Sequence, residues 1–172
     1  GEVGPADVDA AMIQRAQVTY LEGYLWDAPA AKQAYLKAAD VAHAADKRVS
    51  LTLSDKFCVD RHRAEFLDLV HGHIDILFAN EQEIIALYQT GSFDAAVEAV
   101  RGKCEIAVIT RSEKGALIVT PDGATTIKAH KVARVVATTG AGDLFAAGFL
   151  YGLTHGRPPA ECGRIAGICA AE

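Results

Sequence analysis

The sequence predicts an α/β fold, a three-layer α/β/α arrangement around a mainly parallel sheet, on two observations. Short β-branched and apolar runs alternate with helical patterns along most of the chain, the rhythm of right-handed βαβ crossovers with both sheet faces covered. The 172 residues are 51% hydrophobic and 23% charged, enough for one domain with a substantial core.

In chain order, Ala6 to Gln17 places Val8, Ala11, Met12 and Ala16 at helical spacing, with Asp7 near the start. Val18-Thr19-Tyr20-Leu21 reads as a strand leading into Glu22-Gly23-Tyr24. Pro29 opens a helix with Ala30, Ala34, Tyr35, Ala38, Val41, Ala42 and Ala45 on its apolar face. Arg48 to Leu53 is the second strand, followed by Ser54-Asp55, and Asp60 is placed as the cap of the helix carrying Phe66, Leu67 and Val70. Ile74 to Ala79 is the third strand. It runs into Asn80-Glu81-Gln82-Glu83 and a short helix to Tyr88, after which Ser92 caps a helix reaching Val100. Ile106 to Ile109 is the fourth strand, Thr110 to Gly115 a turn, and Ala116–Thr120 with Thr125–Ala129 a hairpin around Pro121-Asp122-Gly123. Val135-Val136-Ala137 feeds Thr138-Thr139-Gly140-Ala141-Gly142-Asp143 and an apolar helix, and a last helix starts near Pro159.

Composition removes several classes of function. A net charge of −5 without a lysine/arginine cluster argues against nucleic acid or an anionic membrane as partner. No apolar run approaches a membrane span. Cys58, Cys104, Cys162 and Cys169 are dispersed, without a CxxC pair, and read as reduced thiols of a cytoplasmic protein filling apolar positions. The six histidines show no metal-ligand spacing, with His71 and His73 expected at the surface. The chain starts at Gly1 without methionine and ends inside a helical pattern with no stop signal. A piece of a longer protein is therefore expected.

Ligands of parallel α/β sheets bind at the carboxyl ends of the strands. Glu22-Gly23, Ser54-Asp55, Asn80 to Glu83, Thr110 to Gly115 and Thr138 to Asp143 all fall there. In the last segment, glycines at a helix start let backbone N–H groups converge on an anion, and Asp143 falls in the first helical turn. A carboxylate beside an anion hole suits deprotonating a hydroxyl that attacks a phosphate. The plainer reading is an acid that complements the helix dipole. A dinucleotide fingerprint is disfavoured, because Phe145 stands at its third glycine position. Asn80-x-x-Glu83 has capping-box spacing, and Glu83 equally suits ordering waters around magnesium; the two roles are compatible. Thr110 offers a hydroxyl at a strand end. Arg111 and Lys114 sit in a polar turn where solvation is the ordinary fate and phosphate contact the alternative. Tyr24 and Trp26 suit either ring stacking or packing.

Together, Thr138-Thr139-Gly140-Ala141-Gly142-Asp143, Asn80-x-x-Glu83 and the Thr110 to Gly115 turn resemble the ribokinase-like (PfkB) carbohydrate kinase family, in the family's order and over nearly the whole chain. Leu21 to Asp27 and Ser50 to Asp55 look like its adenosine-kinase-like bacterial branch. The resemblance implies a Rossmann-like, ribokinase-like fold of which residues 1–172 are the nucleotide-binding portion, without the N-terminal lid half and the extreme C-terminus. It implies transfer of the ATP γ-phosphoryl group to a primary hydroxyl of adenosine or a related nucleoside or sugar. By position, Asp143 matches the catalytic base and Gly140, Ala141 and Gly142 the anion hole. Asn80 and Glu83 match the motif organising Mg2+ (Glu83 through water) and phosphate, and Thr110 and Gly115 a turn beside the nucleotide. Lid-mediated homodimers occur in the family. Two positions depart from its pattern: Ala137 stands where the family usually has an aspartate that contributes to a monovalent-cation site in some members, which leaves potassium activation an open question, and Ser112 replaces a glycine. A nucleotide- or sugar-binding protein that kept the fold without catalysis, and a purely structural domain, are the alternatives from other classes.

Overall fold

The computed structural model describes residues 3–130 and 140–171, so the run Val135 to Ala137 and the threonines Thr138 and Thr139 lie outside the described residues. In chain order the elements are α1 (Ala10–Arg15), β1 (Val18–Glu22), α2 (Pro29–Ala44), β2 (Arg48–Thr52), α3 (Lys56–Gly72), β3 (Ile76–Asn80) and α4 (Glu81–Tyr88). They continue with α5 (Phe93–Val100), β4 (Ile106–Thr110), β5 (Ala116–Thr120), β6 (Gly123–Ile127), α6 (Ala141–Thr154) and α7 (Pro159–Cys169). The strands form one sheet in sequence order from β1 to β6. β1 to β4 are parallel, and β5 and β6 follow as an antiparallel hairpin.

Side-chain alternation along the strands explains the layering. Leu77, Ala79, Ala107 and Ile109 face one core, shared with Tyr35, Phe66, Leu87 and Val97 from α2, α3, α4 and α5. Ile76, Phe78, Ile106 and Val108 face the other, shared with Phe145 and Phe149 of α6 and Ala166 of α7. Strands buried on both faces must be apolar at nearly every position, and crossovers of one hand lay successive parallel strands side by side. The α/β/α expectation holds, as do the hairpin, the Pro29 start of α2 and the Ser92 cap, whose hydroxyl accepts from Ala95 N at 3.2 Å. Trp26 is a core residue, 3% exposed, with its indole N–H donating to Glu65.

Three local expectations are corrected. α3 starts at Lys56, capped by Asp55, whose carboxylate accepts from Cys58 N at 2.7 Å. Asp60 lies inside that helix, where it pairs with Lys56 one turn earlier. The first helix begins at Ala10, capped by Asp9, while Asp7 closes a separate 3-10 turn from Pro5. The second hairpin strand runs from Gly123 to Ile127 rather than from Thr125 to Ala129, because Gly123 already pairs with Thr120 across the turn. Among the described residues no helix is long and apolar enough to cross a membrane.

Candidate functional site

The parallel register sets Glu22 beside Thr52 and Asn80 beside Thr110, so four strands end along one edge. The chain leaving β1 is laced to the chain leaving β2. Tyr24 N donates to the Ser54 hydroxyl at 3.2 Å, and the Cys58 thiol donates to the Gly23 carbonyl at 3.1 Å. Burial pushes that thiol up to about 11, which makes Cys58 an inert packing group. Tyr24 itself is largely exposed.

Asn80 ends β3 and caps α4. Its side-chain oxygen accepts from Glu83 N, while its backbone and side-chain N–H groups donate to the two carboxylate oxygens of Glu83. This is the capping box anticipated from the spacing. Glu83 is only 5% exposed, and burial raises its pKa against the Asn80 hydrogen bonds that lower it. Each carboxylate oxygen keeps a second lone pair, so accepting a water beside the cap is chemically open.

Thr110 ends β4, and the following turn closes on itself: Arg111 N donates to Gly115 O at 2.7 Å, and Gly115 N to Ser112 O at 3.0 Å. Gly115 has φ +88, and a Cβ there would lie 2.0 Å from the Ile127 carbonyl oxygen. Ser112 adopts φ +51, a left-handed conformation. The Arg111 guanidinium pairs with Glu81 at 2.9 Å and lies 4.0 Å from the Phe93 ring centroid, so it is not a loosely solvated turn residue.

Gly140, with φ +82, precedes α6 and accepts from Leu144 N through its carbonyl. Among the described residues no side chain caps the helix, and its first-turn amides are of the kind a helix leaves unpaired. A Cβ built on Gly140 or Gly142 meets no atom of the described residues within 4 Å, so both glycines face space left open by them. Asp143 is exposed in the same turn. Sequence reasoning missed its neighbour Tyr20. That phenol oxygen is buried without a hydrogen-bond partner among the described residues. Burial, then the Asp143 carboxylate, pushes its pKa up to about 12, against the nearby Thr52 side chain, which lowers it without making a hydrogen bond of good geometry. Asn80, Glu83, Thr110 and Gly115 gather where β3 and β4 end, and Asp143 lies in the first turn of α6, close enough for its charge to be felt by Tyr20 of β1. Among the described residues no group of three or more His, Cys, Asp or Glu could hold a metal.

Comparison with known proteins places this edge in context. A solved structure of an adenosine kinase from Sinorhizobium meliloti superimposes with a TM-score of 0.96 at 48% identity, covering 98% of this chain and 52% of that one. A probable sugar kinase protein from Rhizobium etli does so with a TM-score of 0.96 at 50% identity, over 99% of this chain and 52% of that one. A cytidine kinase from Thermococcus kodakarensis is 39% identical over 112 residues, 60% of this chain and 38% of the relative. The chain thus spans about half the length of those solved structures and less of that curated relative. The pfkB family carbohydrate kinase pattern matches residues 4–172, and the chain belongs to that family.

Proposed function

We propose that the protein containing this chain transfers the γ-phosphoryl group of ATP to a primary hydroxyl of adenosine or a related nucleoside or sugar. The observation that carries this reading is the start of α6: a helix that, among the described residues, has no side-chain cap and has open space at Gly140 and Gly142, with a carboxylate, Asp143, in the same turn. That room fits a phosphoryl group held by backbone N–H groups.

In this reading Asp143 takes the proton of the acceptor hydroxyl, whose oxygen bonds to the γ-phosphorus as the bond to the ADP oxygen breaks. The amides of Gly140, Ala141 and Gly142 stabilise charge on the transferring group. Thr110 and Gly115 border the nucleotide. Asn80 and Glu83 organise the phosphates and, through water, Mg2+. The donor set suits that ion, which keeps waters and takes few carboxylates, so the absence of a closed acidic cage among the described residues is compatible with it. Mg2+ would supply neutralisation of phosphate charge.

The test is ADP release by the full-length protein with adenosine, inosine, cytidine, ribose and fructose, with and without EDTA and potassium. Magnesium-dependent ADP release with at least one acceptor is expected. Ligand binding by calorimetry without ADP release for any acceptor would favour the non-catalytic alternative, which Ala137, standing in place of the family's aspartate, keeps in view.

A further inference from the structure

We propose that Arg111 masks the Glu81 carboxylate from the phosphates of ATP and so acts as a positioning residue for the nucleotide, an inference that rests on the reading above. The pairing follows from strand register. Asn80 and Thr110 are partners on adjacent parallel strands, so the residue after each, Glu81 and Arg111, leaves the sheet side by side. Glu81 is the first residue of α4, directly before the segment that carries Glu83. A helix N-terminus favours such a carboxylate in isolation. Beside a polyphosphate the same carboxylate is a like charge in a partly desolvated place, with its side chain 28% exposed.

Arg111 answers that charge with a forked contact, Nε to Oε2 at 2.9 Å and Nη2 to Oε1 at 3.4 Å. Lys114 adds a weaker approach at 3.9 Å. The guanidinium cannot swing freely, because it stands 4.0 Å from the centroid of the buried Phe93 ring. Its own backbone N–H closes the Thr110 to Gly115 turn on Gly115 O. One residue therefore joins that turn, α5 and the start of α4. With its fork committed to Glu81, Arg111 serves the nucleotide by cancelling a repulsion rather than by binding phosphate. The Glu81 carboxyl is held below the usual carboxylate range by this guanidinium, so the charge to be masked is present at neutral pH.

The experiment compares R111M, R111K, E81Q and the E81Q/R111M double variant in the full-length protein, reading Mg·ATP affinity by calorimetry and KM against kcat by ADP release. R111M should weaken Mg·ATP about tenfold, with kcat within about twofold, because it leaves an unmasked carboxylate. Removing that carboxylate as well should bring the double variant back to within about threefold of wild type, and R111K should stay near wild type. Unchanged affinity in R111M overturns the proposal. So does equal impairment of R111M and the double variant, which would put Arg111 on the phosphate or in a purely structural role. If wild type binds Mg·ATP but releases ADP with no acceptor, the phosphotransfer reading fails while the calorimetry still decides the part of Arg111.

Discussion

Asn80 and Glu83 hold each other through three hydrogen bonds: Asn80 N to Oε2 at 2.8 Å, Asn80 Nδ2 to Oε1 at 2.7 Å, and Glu83 N to Asn80 Oδ1 at 2.8 Å. The ring sits at the end of β3 with Glu83 buried, so it is structural before any ligand arrives. Glu83→Gln replaces one acceptor oxygen by an NH2 group that faces donors. One bond is lost and a buried donor is left unpaired, which costs about 1–3 kcal/mol. Urea unfolding of E83Q should show that loss without ATP. A variant as stable as wild type would mean the ring is not holding α4.

Gly115→Ala should be more damaging. The new Cβ would fall 2.0 Å from Ile127 O and 2.7 Å from Ala129 N, both backbone atoms, at a φ of +88. Neither rotamer change nor a shift of side chains relieves such a clash, so the Thr110 to Gly115 turn or the end of β6 must move. A loss of about 3 kcal/mol or more is expected, measured by thermal unfolding. A loss under about 1 kcal/mol would show that the turn yields easily.

How far the sequence revealed this molecule follows the range of the interactions. The sheet was legible because strand and helix periods are local properties, and so was the Asn80-Glu83 ring, whose partners are three residues apart. Asp60 was misplaced as a cap because Asp55 competes for the role and wins once Ser54, at φ +70, turns the chain. The Arg111–Glu81 pair spans 30 residues and exists only through the β3–β4 register, so no local pattern announces it. Tyr20 looked like one more strand aromatic. Its partial burial depends on α6 packing over the sheet, where Phe78 bridges Tyr20 and Phe149 through ring contacts at 6.3 Å and 5.8 Å.

Tyr20 gives a pH prediction with a definite sign. Its folded pKa, raised from 10.0 to about 12, means that the folded state keeps the phenol proton more tightly than the unfolded chain. Stability from this group is full below pH 10 and is lost as pH rises through about 12. Tyr35 shifts in the same direction, so the informative quantity is the difference between wild type and Y20F. Wild type should lose more stability than Y20F between pH 9 and 11. At pH 8, Y20F should be as stable as wild type or slightly more so, since the hydroxyl it removes has no hydrogen-bond partner among the described residues. Parallel pH curves for the two proteins would contradict the buried, proton-retaining environment.

Asp143→Asn separates chemistry from folding most cleanly. Asp143 is exposed, and asparagine keeps its size, so the substitution creates no cavity. Loss of a favourable charge from the first turn of α6 should cost about 0.3–1 kcal/mol of stability. Mg·ATP affinity should hold or improve slightly, because one negative charge leaves the vicinity of the phosphates. Removal of a general base has a different signature: kcat falls about 10²–10⁴-fold while KM for ATP changes little. Steady-state ADP release by full-length D143N, with an acceptor on which wild type turns over, makes the comparison. An Asn variant that turns over at the wild-type rate would remove Asp143 from the chemical step and leave it as a helix-dipole acid.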